Sequence, residues 1–284
     1  MRGRDRRLLH VVLIALSAIW LFPLLWAVYT SLRPYAETAV HGYVSLPVRL
    51  TLDNYSTAWQ DAELPRYFAN TLVVAVPAVV LVLLLGAMIG FAASRFSWRF
   101  NIGLLLLLTA GNLLPPQVVV TPLFRLYLLL PLPEPLSDNG VFYDQPIGLI
   151  AIHVAFQLGF TAFVLSSYMK TLPRDLVDAA LVDGASVLRS FWHVILPLCR
   201  PPLAALAALQ FTWIYNDFFW ALTLMRTGDR RPVTTALHNL SGQFFTDNNL
   251  LAAAAVLVAL PTLVVFLLLQ RHLDGRSILG WTKG

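Results

Sequence analysis

The sequence predicts an all-α integral membrane protein with six transmembrane helices, and three observations carry that prediction. Of the 284 residues, 58% are hydrophobic and 12% charged, with a mean hydropathy of +0.69. A soluble domain carries about 25% charged residues, so this much apolar material needs a bilayer, not its own core, to bury it. Six apolar runs have the roughly 20 residues needed to cross about 30 Å of hydrocarbon. The arginines and lysines fall between those runs, and they do so unevenly.

The first run, residues 8–31, follows the charged stretch MRGRDRR, as the core of a secretory signal does. It is longer than the roughly 7–15 apolar residues of such a signal, and Trp20, Trp26 and Tyr29 suit the aromatic edge of a span, so a retained helix is expected. The other runs are 68–93, 102–123, 147–169, 201–224 and 249–270. Pro77 is expected to kink the second, and Pro115, Pro116 and Pro122 to break the third.

With the N-terminus inside, the inner segments hold Arg2, Arg4, Arg6, Arg7, Arg95, Arg99, Lys170, Arg174, Arg189, Arg200, Arg271, Arg276 and Lys283. The outer segments hold only Arg33, Arg49, Arg66, Arg125, Arg226, Arg230 and Arg231, although they are longer in total. That asymmetry places both termini in the cytoplasm. The outer segment 32–67 is expected to form a small cap with short helices. The outer segment 124–146, which contains LLLPLPEPLSDNG, is expected to be irregular. No repeat or low-complexity tract interrupts the chain, and 1–284 reads as a single transmembrane domain.

Other classes fit the residues less well, and an ion-coupled secondary transporter is the alternative that stays open. The net charge of +5 is spread between spans, which argues against a nucleic-acid surface. One cysteine, Cys199, precludes an internal disulfide and reads as a small packing residue; no Cys/His cluster offers a zinc site. An embedded enzyme is not supported, since H-E-x-x-H, G-x-S-x-G and paired carboxylates are all missing. An ion-coupled secondary transporter tends to carry internal repeats and intramembrane acids, and here only Asp217 is a candidate acid.

The stretch DAALVDGASVLRSFWHVILP, Asp178 to Pro197, lies in the longest inner segment, 170–200. It divides into two short helices. The first begins near Pro173, with Leu176, Ala179, Ala180 and Asp183 on one face, and ends at Gly184, where a left-handed residue is cheap. Ser186 is placed to cap the second, along which Leu188, Phe191, Trp192 and Ile195 form an apolar stripe that Pro197 ends. Two readings stay open on these residues alone: an amphipathic segment in the headgroup layer, or a docking element for a cytoplasmic partner.

The spacing Asp178-Ala179-Ala180, three residues, Gly184, nine residues, Val194-Ile195-Leu196-Pro197 resembles the EAA motif of permease subunits from binding-protein-dependent ABC importers. Asp178 replaces the usual glutamate and Val194 an isoleucine. LDNYSTAW at 52–59, YFANTLVVA at 67–75, WIYNDFFWAL at 213–222 and the tail ending Thr282-Lys283-Gly284 resemble the carbohydrate branch, in particular subunits like the maltose importer's G component. The proline-rich outer segment 130–146 departs from that pattern by its length.

The resemblance implies a type I importer permease fold in a bacterial or archaeal plasma membrane. It implies a sugar or oligosaccharide as cargo, with glycerol phosphate or amino acids as alternatives. The implied partners are a second permease subunit, two cytoplasmic ATPase subunits and an extracellular solute-binding protein, besides membrane lipid. The chain itself is then no enzyme: ATP and magnesium are bound by the ATPase. The near phosphate-loop stretch 275–282 lacks the lysine and follows a span instead of a strand. Asp178, Ala179, Ala180, Asp183, Gly184, Leu196 and Pro197 are the implied coupling residues, and the tail after Arg271 is also implied to reach the ATPase.

Polar groups at membrane depth are costly and point to function. Asn70, Asn112, Gln117, His153, Gln157, Gln210, Asn216 and Asp217 are such groups. Asn216 and Asp217, with aromatic neighbours Trp213, Tyr215, Phe218 and Trp220 that suit sugar faces, are the expected lining of a substrate path. Bonding across helices is the competing role for each of them.

Overall fold

The computed structural model describes residues 3–61, 63–96, 100–239 and 247–273. Helix α1 (Gly3–Ser31) contains the span-length stretch Arg6–Ser31, about 39 Å at the helical rise. Its residues 8–25 are all exposed, as lipid or a second chain requires. The short helices α2 (Tyr35–His41) and α3 (Asp53–Asp61) are those expected in the cap. Helix α4 (Leu64–Arg95) continues unbroken through Pro77.

The third apolar run is divided. Helix α5 (Asn101–Ala110) ends in a 3-10 turn, Gly111–Leu113, and α6 (Pro116–Leu129) restarts the chain. The proline pair explains the break: Leu114, before Pro115, is pushed to an extended ψ of 124°, and Pro116 fits a first helical turn whose N–H has no partner to find. Pro122, expected to break the run again, lies inside α6, which passes the expected end at 123 by six residues to reach Leu129.

Helix α7 (Pro146–Met169) is span-length and ends where expected. The segment 170–200 then holds α8 (Asp175–Val182), α9 (Val187–Ser190), a π turn at Phe191–Ile195 and α10 (Leu196–Leu198). Pro197 was expected to stop the second loop helix, yet that helix reaches Leu198. The wide π turn, closed by Leu196 N–H on the Phe191 carbonyl, makes room for a proline that would otherwise clash one turn back. The chain then bends by 77° into α11 (Arg200–Tyr215).

The fifth run, expected as one helix, is also two: α11 stops at Tyr215 and α12 (Phe219–Leu224) follows after three residues. Helices α13 (Val233–Asn239) and α14 (Asn248–Leu273) complete the described chain. Among the described residues four helices are long and apolar enough to cross a membrane, namely Arg6–Ser31, Leu64–Arg95, Pro146–Met169 and Asn248–Leu269, and the bent pair Val187–Leu198 and Arg200–Tyr215 makes a fifth if counted as one span. Among the described residues the only β feature is an isolated bridge between Pro131 and Val141.

The chain divides into two compact units, residues 1–66 with 233–261, and residues 67–232 with 262–284. In the first, buried polar groups hold the cap together. The fully buried Arg33 guanidinium donates to Glu37 at 2.8 and 3.0 Å, to the Tyr43 carbonyl at 3.0 Å and to Ser45 at 2.7 Å. Glu37 in turn accepts the Val48 and Arg49 amides, each at 3.0 Å. These backbone donors, with Arg33, hold the Glu37 carboxyl below the usual range against the opposing effect of burial. Asn249 accepts from Thr38 at 2.8 Å and donates to the Thr30 carbonyl at 2.9 Å, tying α1, α2 and α14.

In the second unit α7 is the central helix, and small residues set its spacing. A β-carbon on Gly159 would lie 2.2 Å from the Leu108 carbonyl oxygen, and one on Gly86 would lie 2.6 Å from Thr161. Close backbone approach of this kind is how membrane helices gain dispersion energy without a hydrophobic driving force. The segment 124–146 is less irregular than expected. Leu132 N–H donates to the Gly140 carbonyl at 2.8 Å to close a short hairpin, and Asp144 accepts from the Arg226 and Thr227 amides at 2.7 and 2.9 Å.

Candidate functional site

The two helix breaks of the second unit meet the same cleft. Its volume is about 430 Å3, and it is lined by Asn112, Leu114 and Pro116 from the α5–α6 break and by Trp213, Asp217 and Trp220 around the α11–α12 break. The third wall comes from α7, where His153, Phe156, Gln157 and Phe160 stand at i, i+3, i+4 and i+7 and so share one helical face. Non-helical backbone at membrane depth is tolerated where it lines a cavity, and here both interruptions do so.

Geometry fixes each polar group. Asp217 follows α11 and caps α12, its carboxylate accepting the Trp220 and Ala221 amides at 3.4 and 3.1 Å. The His153 ring nitrogen stands 3.8 Å from the same carboxylate, with both side chains largely buried. Asn112 Oδ1 is buried without a hydrogen-bond partner among the described residues, an acceptor that a bound donor satisfies. Trp213 packs on Phe160 with ring centroids 5.6 Å apart, and Trp220 on Phe156 at 5.3 Å. A cleft of this size with aromatic walls and few polar groups has the makeup of a small-ligand site.

The expected path residues divide. Trp213 and Asp217 line the cleft. Tyr215 is not a lining residue, being 1% exposed and part of the core. Asn216 is exposed but turns back to donate to the Thr212 carbonyl at 2.8 Å, the ordinary fate of an amide just past a helix end. Of the other intramembrane polar groups, Asn70 donates to the carbonyls of Asp229 and Arg231, and Gln210 donates to Thr161, so both serve packing. Gln117 is exposed and outside the cleft lining. Asn112, His153 and Gln157, also among the expected polar groups, line the cleft; the aromatic part of the α7 face, Phe156 and Phe160, was not anticipated.

The loop 170–200 is braced, not loose. Val177, Phe191 and Ile195 are buried in a core with Phe91, Leu165 and Met169, which divides the expected stripe: Leu188 and Trp192 remain 57% and 43% exposed. Arg95 donates to the Leu172 carbonyl at 3.2 Å and Tyr168 to the Leu198 carbonyl at 3.3 Å, fixing both ends. Ser186 accepts the Arg189 amide at 3.3 Å, as the cap reading requires. Gly184 has φ +83°; its N–H bonds the Leu181 carbonyl and the Ala185 N–H bonds that of Ala180, which together close a Schellman turn.

Asp178, Ala179, Asp183 and Gly184 are left exposed. Ala180 is half-covered by the fold, and so sits at the edge of the free face and not its centre. Leu196 and Pro197 are also half-buried, Leu196 against the core of Phe191 and Ile195. Cys199 is fully buried, in keeping with a packing role. The stretch 275–282 and the tail from 274 lie outside the described residues.

Long apolar helices, two broken runs around a polar and aromatic cleft, and a rigid helical loop with a free face together define a membrane permease. The chain belongs to the family of binding-protein-dependent transport system inner membrane components, whose pattern matches residues 83–278. It is 35% identical to the diacetylchitobiose uptake system permease protein of Streptomyces coelicolor, across 95% of this chain and 88% of that one. It is 34% identical to the osmoprotective compounds uptake permease protein of Synechocystis, across 97% and 91%. Its fold matches a chain of a bacterial ABC transporter involved in the import of the acidic polysaccharide alginate, with a TM-score of 0.77 and 20% identity over 95% of this chain and 98% of that one.

Proposed function

We propose that this chain is the permease subunit of an ATP-driven importer for a sugar or oligosaccharide, and that the cleft between α7 and the two helix breaks is its contact with the cargo. The cleft carries the reading: Trp213, Trp220, Phe156 and Phe160 offer ring faces to the apolar faces of a sugar, while Asn112, Gln157, His153 and Asp217 offer partners to its hydroxyls. The diacetylchitobiose relative supports a saccharide cargo.

In this reading 1–284 is one permease domain with six spans, the third formed by α5 and α6 and the fifth by α11 and α12. Both termini are cytoplasmic, in a bacterial or archaeal plasma membrane. A second permease supplies the other half of the path and covers α1. A solute-binding protein delivers cargo outside, and two ATPase subunits bind ATP and magnesium inside. The face of Asp178, Ala179 and Asp183 seats in an ATPase, and the braced loop transmits its closure as a rigid body.

The test is reconstitution of the whole complex with its binding protein, scoring ATP-dependent uptake of a panel of neutral oligosaccharides, glycerol phosphate and amino acids. Trp213→Ala is expected to lower saccharide uptake while ATPase subunits still copurify. Uptake confined to a non-saccharide solute would refute the cargo assignment.

A further inference from the structure

The cleft has a charge character that the fold does not dictate. A chain of the same fold serves import of an acidic polysaccharide, so the fold by itself does not set the charge class of a cargo. Here the lining includes no lysine and no arginine; its ionisable groups are Asp217 and His153. Their side-chain atoms approach to 3.8 Å, so any proton on His153 is matched by the neighbouring carboxylate. The two amides that cap α12 hold that carboxylate in place. With the Asp217 carboxylate ionised, the net charge of the lining is negative, or zero when His153 carries a proton. Hydrogen bonding is biased the same way, because Asn112 Oδ1 is a buried acceptor awaiting a donor.

We propose that this cleft is a charge filter: it accepts uncharged, hydroxyl- or amide-bearing saccharides and excludes uronates and phosphate esters from this half of the path. The substrate class rests on the cargo reading above; the filter itself rests only on the lining. A buried anion needs a paired cation, and among the described lining residues the only ionisable nitrogen is that of His153, already beside the Asp217 carboxylate. Asp217 carries the exclusion, acting through its field.

The single native cysteine allows a direct test in the reconstituted complex. With Cys199 changed to alanine, Leu114→Cys places one thiol in the cleft without removing a proposed cargo contact, and Val44→Cys provides an exposed reference, the native residue being 85% exposed. Labelling by a trimethylammonium methanethiosulfonate is compared with labelling by its sulfonate analogue, read as the mass of this chain. The cation-to-anion preference in the cleft is expected to exceed the reference by about tenfold or more and to collapse in Asp217→Asn. A preference within about twofold of the reference, or one indifferent to Asp217→Asn, overturns the filter.

Protection separates the two readings. N,N′-diacetylchitobiose or maltose is expected to slow labelling, and digalacturonate is not. Equal protection by digalacturonate overturns the filter. Protection by no saccharide, with the reagent preference intact, removes the cargo assignment and leaves the filter standing.

Discussion

Gln210 on α11 donates to Thr161 Oγ1 on α7 at 2.9 Å, and both residues are fully buried. The bond joins two helices whose faces also bound the cleft, so it sets their register as well as satisfying two polar groups. Thr161→Val leaves the Gln210 amide without that acceptor, and a cost of about 1–3 kcal/mol is expected. Gln210→Met with Thr161→Val removes both groups, and its cost is expected to be smaller than that of the single change. A double-mutant cycle on thermal stability in detergent checks the coupling; between membrane helices such pairs average about 0.6 kcal/mol.

Two glycines of the α5–α7 pair give opposite expectations. At Gly159 a methyl group would strike the Leu108 carbonyl at 2.2 Å, backbone against backbone, so Gly159→Ala must push the helices apart. A loss of about 1–3 kcal/mol is expected, seen as a lower melting temperature. Gly103 meets nothing within 4 Å and lies within α5, so Gly103→Ala is expected to be neutral or stabilising by up to about 1 kcal/mol.

The turn at Gly184 isolates conformation from contact. Nothing lies within 4 Å of its absent β-carbon, yet φ is +83°. Gly184→Ala is expected to cost about 1–2 kcal/mol locally through the left-handed backbone, and Gly184→Asn less. Gly184→Asp adds a charge on the free face of the loop; membrane insertion should be unchanged while ATPase subunits are lost from a pull-down. Full recovery of the ATPase would count against docking there.

Acid should loosen the cap through Glu37. Its carboxyl titrates below the usual range when folded, mainly because the Val48 amide bonds it, with the Arg49 amide and Arg33 adding to this. A depressed folded value means the carboxylate's contribution is complete above the unfolded value near 4.5 and is lost as pH falls through the lower folded one. Exchange of the Val48 and Arg49 amides, corrected for its intrinsic pH dependence, is expected to rise through that window. In Glu37→Gln the rise should vanish.

Much of the inner loop was legible before any coordinates. Ser186 and Gly184 announce a cap and a stop because each acts within four residues of itself, and the structure has both. The break at Pro115 and Pro116 was equally local. Pro122 and Pro197 were misjudged for the opposite reason: a helix absorbs a proline when its neighbours supply packing or when a π turn widens the preceding turn, and no single residue reports that.

The cleft was legible only in part, and Asn216 beside Asp217 shows why. Adjacent in sequence and alike in polarity, one turns back to Thr212 and the other caps α12 while facing His153 from a different helix. Apolar length, basic asymmetry and capping chemistry are properties of short stretches, so the chain's membrane class and loop helices follow from residue order. Which polar groups converge depends on how α7 crosses the broken runs, and that is settled by glycine-thin contacts such as Gly159 against Leu108, fifty residues apart. Contacts so distant along the chain exist only once the helices have packed.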